Sequence, residues 1–129
     1  MVECRVPLRR VLDLGNLAIS YRDYTIVRIR DDEDREGVAW GYSRGADIAS
    51  IIRRSFSAYL TGTDLSWSPE TWTRLYTLNP YINQAGLYLR ALSLVDIALC
   101  DLECSRNGVS IEHFLEAKPS SGPITVACC

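Results

Sequence analysis

ALSLVDIALCDL, residues 91–102, is an apolar run that carries two aspartates, Asp96 and Asp101. Its apolar residues fall on most sides of a helical wheel, so the stretch reads as the middle of a buried helix over 85–105. Asn107-Gly108 supplies the stop. A carboxylate in such company either carries chemistry or is held by a partner, because an unpaired buried charge is too costly. Five positions along a helix turn a side chain by about 140°. Asp96 and Asp101 therefore do not face each other, and a paired-carboxylate acid–base site is excluded. Asp96 falls in a narrow polar stripe with Ser93, Cys100 and Glu103, while Asp101 shares its side with Arg90, Leu94 and Ala98. Each aspartate is expected to make a structural hydrogen bond or ion pair at a packing seam.

Outward from this helix, the pattern changes twice. Ser68-Pro69-Glu70 marks a helix start, with Ser as N-cap, Pro at the first position and Glu in the first turn. That helix spans 69–79, with Trp72, Leu75 and Tyr76 as its apolar stripe, and Asn79-Pro80 ends it. Before it, Ile48, Ile51, Ile52, Ser55, Phe56, Tyr59 and Leu60 recur at helical spacing over 46–60, and Thr61-Gly62 stops them. Further upstream the period becomes two. Thr25, Val27 and Ile29 share one face of a strand over 24–31, with Arg28 and Arg30 on the other. DDEDREG turns the chain into a second strand over 37–43, so the pair reads as a hairpin. A first strand over 2–9 makes this a meander, and Pro7 restricts it to an edge or a short strand. Residues 11–23 show loop punctuation at Gly15-Asn16 and little period. A short helical turn near 110–116 precedes the loop KPSSGP, and PITVACC starts a new β-branched strand. Strands first and helices after predict an α+β fold: a three-strand antiparallel meander followed by a three-helix bundle.

At 129 residues, 47% hydrophobic and 23% charged, the chain can bury one domain core and does not read as disordered. The net charge of -2 and the scattered arginines argue against a nucleic-acid partner. No apolar run approaches the roughly 20 residues of a membrane helix, and the first residues lack a signal-peptide core. A soluble cytoplasmic protein is expected. Five cysteines without a secretory signal make a disulfide framework improbable. The acid–base inventory is thin: one histidine, His113, one lysine, Lys118, and arginines that stay protonated. Asp32-Glu33-Asp34-Arg35-Glu36-Gly37 matches the first half of a calcium loop, but the twelfth position is Ser43 instead of a bidentate Glu. A solvated hairpin turn is the better reading. Cys100 and Cys104 lie on one helix face and suit buried thiols better than a zinc site, which needs about four ligands.

The run from Ala91 to Leu102, with Gly108-Val109-Ser110-Ile111 and Phe114-Leu115 after it, resembles the signature of the mandelate racemase and muconate lactonizing enzyme family of the enolase superfamily. Val27-Arg28-Ile29-Arg30-Asp31-Asp32 and Gly37-Val38-Ala39-Trp40-Gly41-Tyr42 are similar to that family's strand, acidic turn and G-x-x-W-G strand. Leu94 stands where the family prefers a small residue, and Cys100 where it usually has Trp. The resemblance implies an enolase N-terminal domain-like capping domain over residues 1–118. Residues 119–129 would be a linker and the first strand of a (β/α) barrel absent from this chain. In complete members the cap closes over a barrel that binds Mg²⁺ and removes the proton α to a carboxylate. The barrel carries the metal ligands and the base. No catalytic or metal-binding residue can be placed in this chain, which by itself is expected to be inactive.

By the same resemblance the capping loops are 13–20 and 42–45, with Asn16, Leu17, Tyr42 and Arg44 facing a carboxylate substrate in a complete enzyme. Asp96 and Asp101 become structural signature residues. The implied partner is the barrel, or a second copy through the surface the barrel would cover. A different class of function also fits: a stand-alone interaction or structural module that keeps the cap fold.

Overall fold

The structure is a computed structural model, and it describes residues 1–81 and 86–115. Three strands, β1 (Val2–Asp13), β2 (Ala18–Arg30) and β3 (Glu36–Tyr42), form one antiparallel sheet in the order β1-β2-β3. Helices follow: α1 (Ile48–Ile51), a π-helical segment (Ile52–Phe56) and α2 (Ser57–Leu60) in continuous succession, then α3 (Pro69–Thr77), α4 (Leu87–Asn107) and the single turn α5 (Ile111–Phe114). The architecture is α+β, a three-strand antiparallel sheet with helices packed on one face. The C-terminal strand expected over 119–129 lies outside the described residues. Among the described residues no helix is long and apolar enough to cross a membrane.

The helix starts follow from local chemistry. Asp47 accepts from the Ser50 N–H at 2.9 Å and caps α1, and Ser68 accepts from the Thr71 N–H at 3.1 Å and caps α3. Gly108 takes a left-handed conformation at φ 63° and closes α4, its N–H and that of Val109 returning to helix carbonyls.

Three expectations need correction. The segment read as a loop over 11–23 is mostly strand: β1 runs through Asp13 and β2 begins at Ala18. The expected strands 2–9 and 24–31 are thus longer arms of one hairpin. Nearly every residue of the far arm is exposed, so no face is buried and the sequence shows no alternation. A register shift between Pro7 and Leu12 further breaks the period. The helix expected as one rod over 46–60 contains a π segment, where the spacing widens to i→i+5. Helix α4 starts two residues later and ends two residues later than 85–105.

The core lies between the sheet and α4. Val27, Ala39, Ile48, Ile52, Phe56, Leu75, Tyr88, Leu92, Val95, Ala98 and Leu99 form it. The helix-facing side of β3 carries only small residues, Gly37, Ala39 and Gly41, and the register sends Val38, Trp40 and Tyr42 to the opposite face. A Cβ at Gly37 would lie 2.0 Å from the Ala98 carbonyl oxygen and 2.4 Å from the Leu102 nitrogen, so backbone packs on backbone there. At Gly41 the nearest atom would be the Leu94 Cδ2, 3.1 Å away.

Gly37→Ala should cost about 3 kcal/mol or more, since neither backbone can yield without moving α4. Gly41→Ala should cost about 1 kcal/mol or less, because the Leu94 side chain can rotate. Urea unfolding of both variants checks the contrast; equal losses would refute it. Thr25 is fully buried and its Oγ1 has no hydrogen-bond partner among the described residues. Thr25→Val keeps the shape and removes that cost, so it should raise stability by about 1 kcal/mol in the same assay.

Candidate functional site

The two aspartates of the signature helix are structural anchors. Asp96 accepts from the indole Nε1 of Trp67 at 2.9 Å, fixing the loop before α3 onto α4. Burial raises the Asp96 carboxyl above its ordinary value, and the Trp67 bond partly opposes this. Asp101 lies at the surface and accepts from the Val38 N–H at 2.8 Å. Three turns earlier on α4, Arg90 donates to the Tyr42 carbonyl. One helix thus holds both ends of β3, an edge strand with backbone groups to satisfy. Neither aspartate faces the other, as the helical geometry requires.

The acidic turn is organised by Asp31, whose side chain is 3% exposed. Its carboxylate accepts from Arg35 Nε at 2.8 Å, Arg106 Nε at 3.0 Å, and the backbone N–H groups of Glu33 and Arg35. Arg106 also donates to the Leu65 carbonyl, so one residue ties the β2–β3 turn, the end of α4 and the loop after α2. Burial alone would raise the Asp31 carboxyl; the bonds from Arg35 and Arg106 override it and hold it well below the usual carboxylate range. Sequence spacing could not reveal this site, because Arg106 lies 75 residues from Asp31. Trp67 went unrecognised for the same reason.

Among the described residues no three His, Cys, Asp or Glu side chains converge to hold an ion. Asp31, Asp96 and Asp101 are each committed to protein donors. The residues present do not fit Mg²⁺. Asp32, Glu33 and Asp34 sit exposed in a hairpin turn. Cys100 and Cys104 are buried, and burial pushes the Cys100 thiol up to about 11, so it is inert at neutral pH.

The sheet end opposite the acidic turn carries a groove of about 550 Å³. Leu12, Leu14 and Leu17 form one wall, and Tyr42, Arg44 and Gly45 the other. The structure therefore brings Leu17, Tyr42 and Arg44 together, whereas Asn16 does not line the groove. The capping loop expected over 13–20 narrows to a tight turn, with the Leu14 N–H donating to the Leu17 carbonyl and the Gly15 N–H to Asp13 Oδ1. Opposite it, Arg44 and Gly45 both adopt left-handed conformations, at φ 52° and 74°. Tyr42 is held at both ends: its carbonyl by Arg90 and its hydroxyl by Arg22 Nη1 at 2.6 Å. The hydroxyl of neighbouring Tyr24 and the Arg22 charge lower the Tyr42 phenol below its ordinary value.

The fold has known counterparts. D-galactarolactone cycloisomerase of Agrobacterium fabrum is 34% identical over 102 residues, covering 78% of this chain and 26% of that protein. A 3,6-anhydro-alpha-L-galactonate cycloisomerase of Streptomyces coelicolor is 29% identical, covering 77% and 28%. A crystal structure of a racemase from Streptomyces coelicolor with bound magnesium superposes with a TM-score of 0.72 at 28% identity, covering 81% of this chain and 30% of that one. A mandelate racemase/muconate lactonizing enzyme-like protein from Rubrobacter xylanophilus shares the fold, with a TM-score of 0.77 at 21% identity, over 87% and 31%. No protein-family model matches the chain. The chain matches the N-terminal portion of mandelate racemase/muconate lactonizing enzyme-like proteins of the enolase superfamily. It spans between a quarter and a third of the length of these relatives. In this N-terminal portion the signature helix is α4 and the G-x-x-W-G strand is β3, joined through Gly37, Asp101 and Arg90.

The lowered Asp31 carboxyl gives a pH prediction. A depressed carboxylate stabilises the fold above its unfolded value, near pH 4, and the contribution fades as pH falls toward the folded value. Asp31→Asn should therefore unfold at a lower urea midpoint at pH 7. The gap from the parent chain should narrow steadily below about pH 4. A gap independent of pH would show that Asp31 acts without its charge.

Proposed function

We propose that this chain is the capping domain of an enolase-superfamily enzyme, with residues 1–118 as the cap. In the assembled enzyme the groove between the β1–β2 turn and the Tyr42–Gly45 turn closes over a barrel-borne site that removes a proton α to a carboxylate. The observation that carries this reading is the convergence of Leu17, Tyr42 and Arg44 on one groove at one end of the sheet. The leucine wall would exclude water from the reacting end of the substrate. Arg44, on a left-handed turn next to the doubly held Tyr42, offers a positive charge to an anionic substrate. Asn16, at the tip of the hairpin turn, would touch substrate or barrel only after closure.

Mg²⁺ belongs to the rest of the enzyme in this reading, since Asp31, Asp96 and Asp101 are each engaged by protein donors. It would act as a Lewis acid on the substrate carboxylate. What the cap supplies is enclosure, orientation and charge. Relatives named for acid-sugar lactones and anhydrosugar acids make a polyhydroxy carboxylate the first substrate class to try.

Two experiments test the proposal. The chain alone should show no turnover of D-galactarolactone and no Mg²⁺-dependent exchange of an α-proton by NMR; metal-dependent exchange would overturn its inactivity. Residues 1–115 should replace the matching N-terminal portion of the Agrobacterium cycloisomerase and leave measurable turnover. Within that chimera, Leu17→Asp and Arg44→Ala should each lower kcat/KM by about 10- to 100-fold. An active chimera indifferent to both changes would refute the placement of the groove.

A further inference from the structure

The core is open at one corner. β1 begins opposite Ile26, so β2 from Arg28 to Arg30 is paired with a strand on its β3 side only. Beside that free edge lies a cavity of about 1070 Å³, bounded by the end of β2, the π segment, residues 60–65 and α4. Its apolar lining is Val27, Ile29, Ile52, Leu60, Leu65 and Leu99, of which Ile29, Leu60 and Leu65 are only half-buried. Its charged lining has both signs, Arg28, Arg30, Arg53 and Arg106 against Asp31, Asp32 and Asp64.

These features describe an occupant. A free strand edge calls for a backbone to pair with it. An apolar lining calls for apolar side chains at alternate positions of that backbone. A rim of mixed sign disfavours a charged filler, which meets like charge on one side and loses water on entry. PITVACC, residues 123–129, lies outside the described residues and has all three properties. It carries the β-branched run Ile124-Thr125-Val126, sets Ile124 and Val126 two apart, and has no charged side chain.

The chain also leaves the described fold within reach of the cavity. Phe114 in α5 packs edge-on against Trp67, with ring centroids 5.4 Å apart. Trp67 stands two residues after Leu65, whose carbonyl accepts from Arg106 at the cavity wall. Leu115 is therefore at most about 25 Å from Leu65, a distance that the seven residues 116–122 span when extended. That connecting stretch, EAKPSSG, carries Glu116 and Lys118 and suits water rather than the cavity.

We propose that residues 123–129 fill this cavity in the same molecule, as a strand added along Arg28–Arg30 with Ile124 and Val126 turned onto Ile29, Leu60 and Leu65. The inference concerns the chain by itself and does not rest on the cap reading. In an assembled enzyme the same segment would instead lead toward the barrel.

NMR of the full chain with labelled Ile, Leu and Val methyl groups tests this. Ile124 and Val126 should show nuclear Overhauser contacts to Ile29, Leu60 or Leu65. An isotope-filtered spectrum of labelled and unlabelled chains mixed one to one should show none of these contacts between copies. Contacts found only between copies, or none to the cavity at all, would overturn the proposal. The double variant Ile124→Asp, Val126→Asp should lower the urea midpoint by about 1 M. Ser120→Asp, in the connecting stretch, should leave it unchanged. A double variant as stable as the parent chain, or an equal loss in Ser120→Asp, would also overturn it.

Discussion

Helix α4 and strand β3 meet with no side chain between them at Gly37, and the rest of the structure is arranged around that contact. The Ala98 carbonyl and the Leu102 nitrogen occupy the space a Cβ would need. Backbone-to-backbone contact fixes the distance between layers more strictly than side-chain packing does, because nothing in it can rotate away. Two polar bonds then fix the direction. Arg90 and Asp101 lie about 16 Å apart along α4, and their partners Tyr42 and Val38 lie about 14 Å apart along β3. The near match forces the helix to run antiparallel to the strand, with Leu94 seated over Gly41 between the two anchors.

This arrangement carries the signature helix into the site without giving it any chemistry. Asp96 and Asp101 hold Trp67 and β3, and Arg90 at the other end of α4 holds the carbonyl of Tyr42. Tyr42 is also gripped through its hydroxyl by Arg22. The turn that follows, with Arg44 and Gly45 in left-handed conformations, starts from a residue with little freedom left. An apolar helix can thus shape the turn that walls the groove while remaining in the core.

How much of this the amino-acid order revealed depends on what buried each element. The core-facing residues of β2, the Ser68-Pro69-Glu70 start and the Gly108 stop were legible because one buried face or one cap decides them. The arms of the β1–β2 hairpin beyond Pro7 were not, because both faces meet solvent and no alternation is imposed. The π segment was hidden since its apolar residues satisfy helical spacing equally well. In the candidate site, Tyr42, Arg44 and Leu17 were named through a family resemblance, and the structure brings them together while leaving Asn16 off the groove. Trp67 and Arg106 carried no local signal. Their partners are 29 and 75 residues away, and only the folded chain brings them within hydrogen-bond distance.

The groove's two walls differ in what holds them. The Tyr42–Gly45 wall is tied to β2 by the Ser43 N–H donating to the Asp23 carbonyl and by Arg22 donating to the Tyr42 hydroxyl, and to α4 by Arg90. The leucine wall stands on a hairpin arm that packs against no helix and buries almost nothing. Opening that arm breaks ladder hydrogen bonds already near water and exposes little new apolar area, so it lies at the low end of local stability. The function proposed for this groove sets two opposing tasks: to admit a substrate and then to present fixed charge to it. A rigid polar turn facing a leucine-tipped arm that opens cheaply divides these tasks between two walls, and the division follows from which side of β3 the signature helix covers.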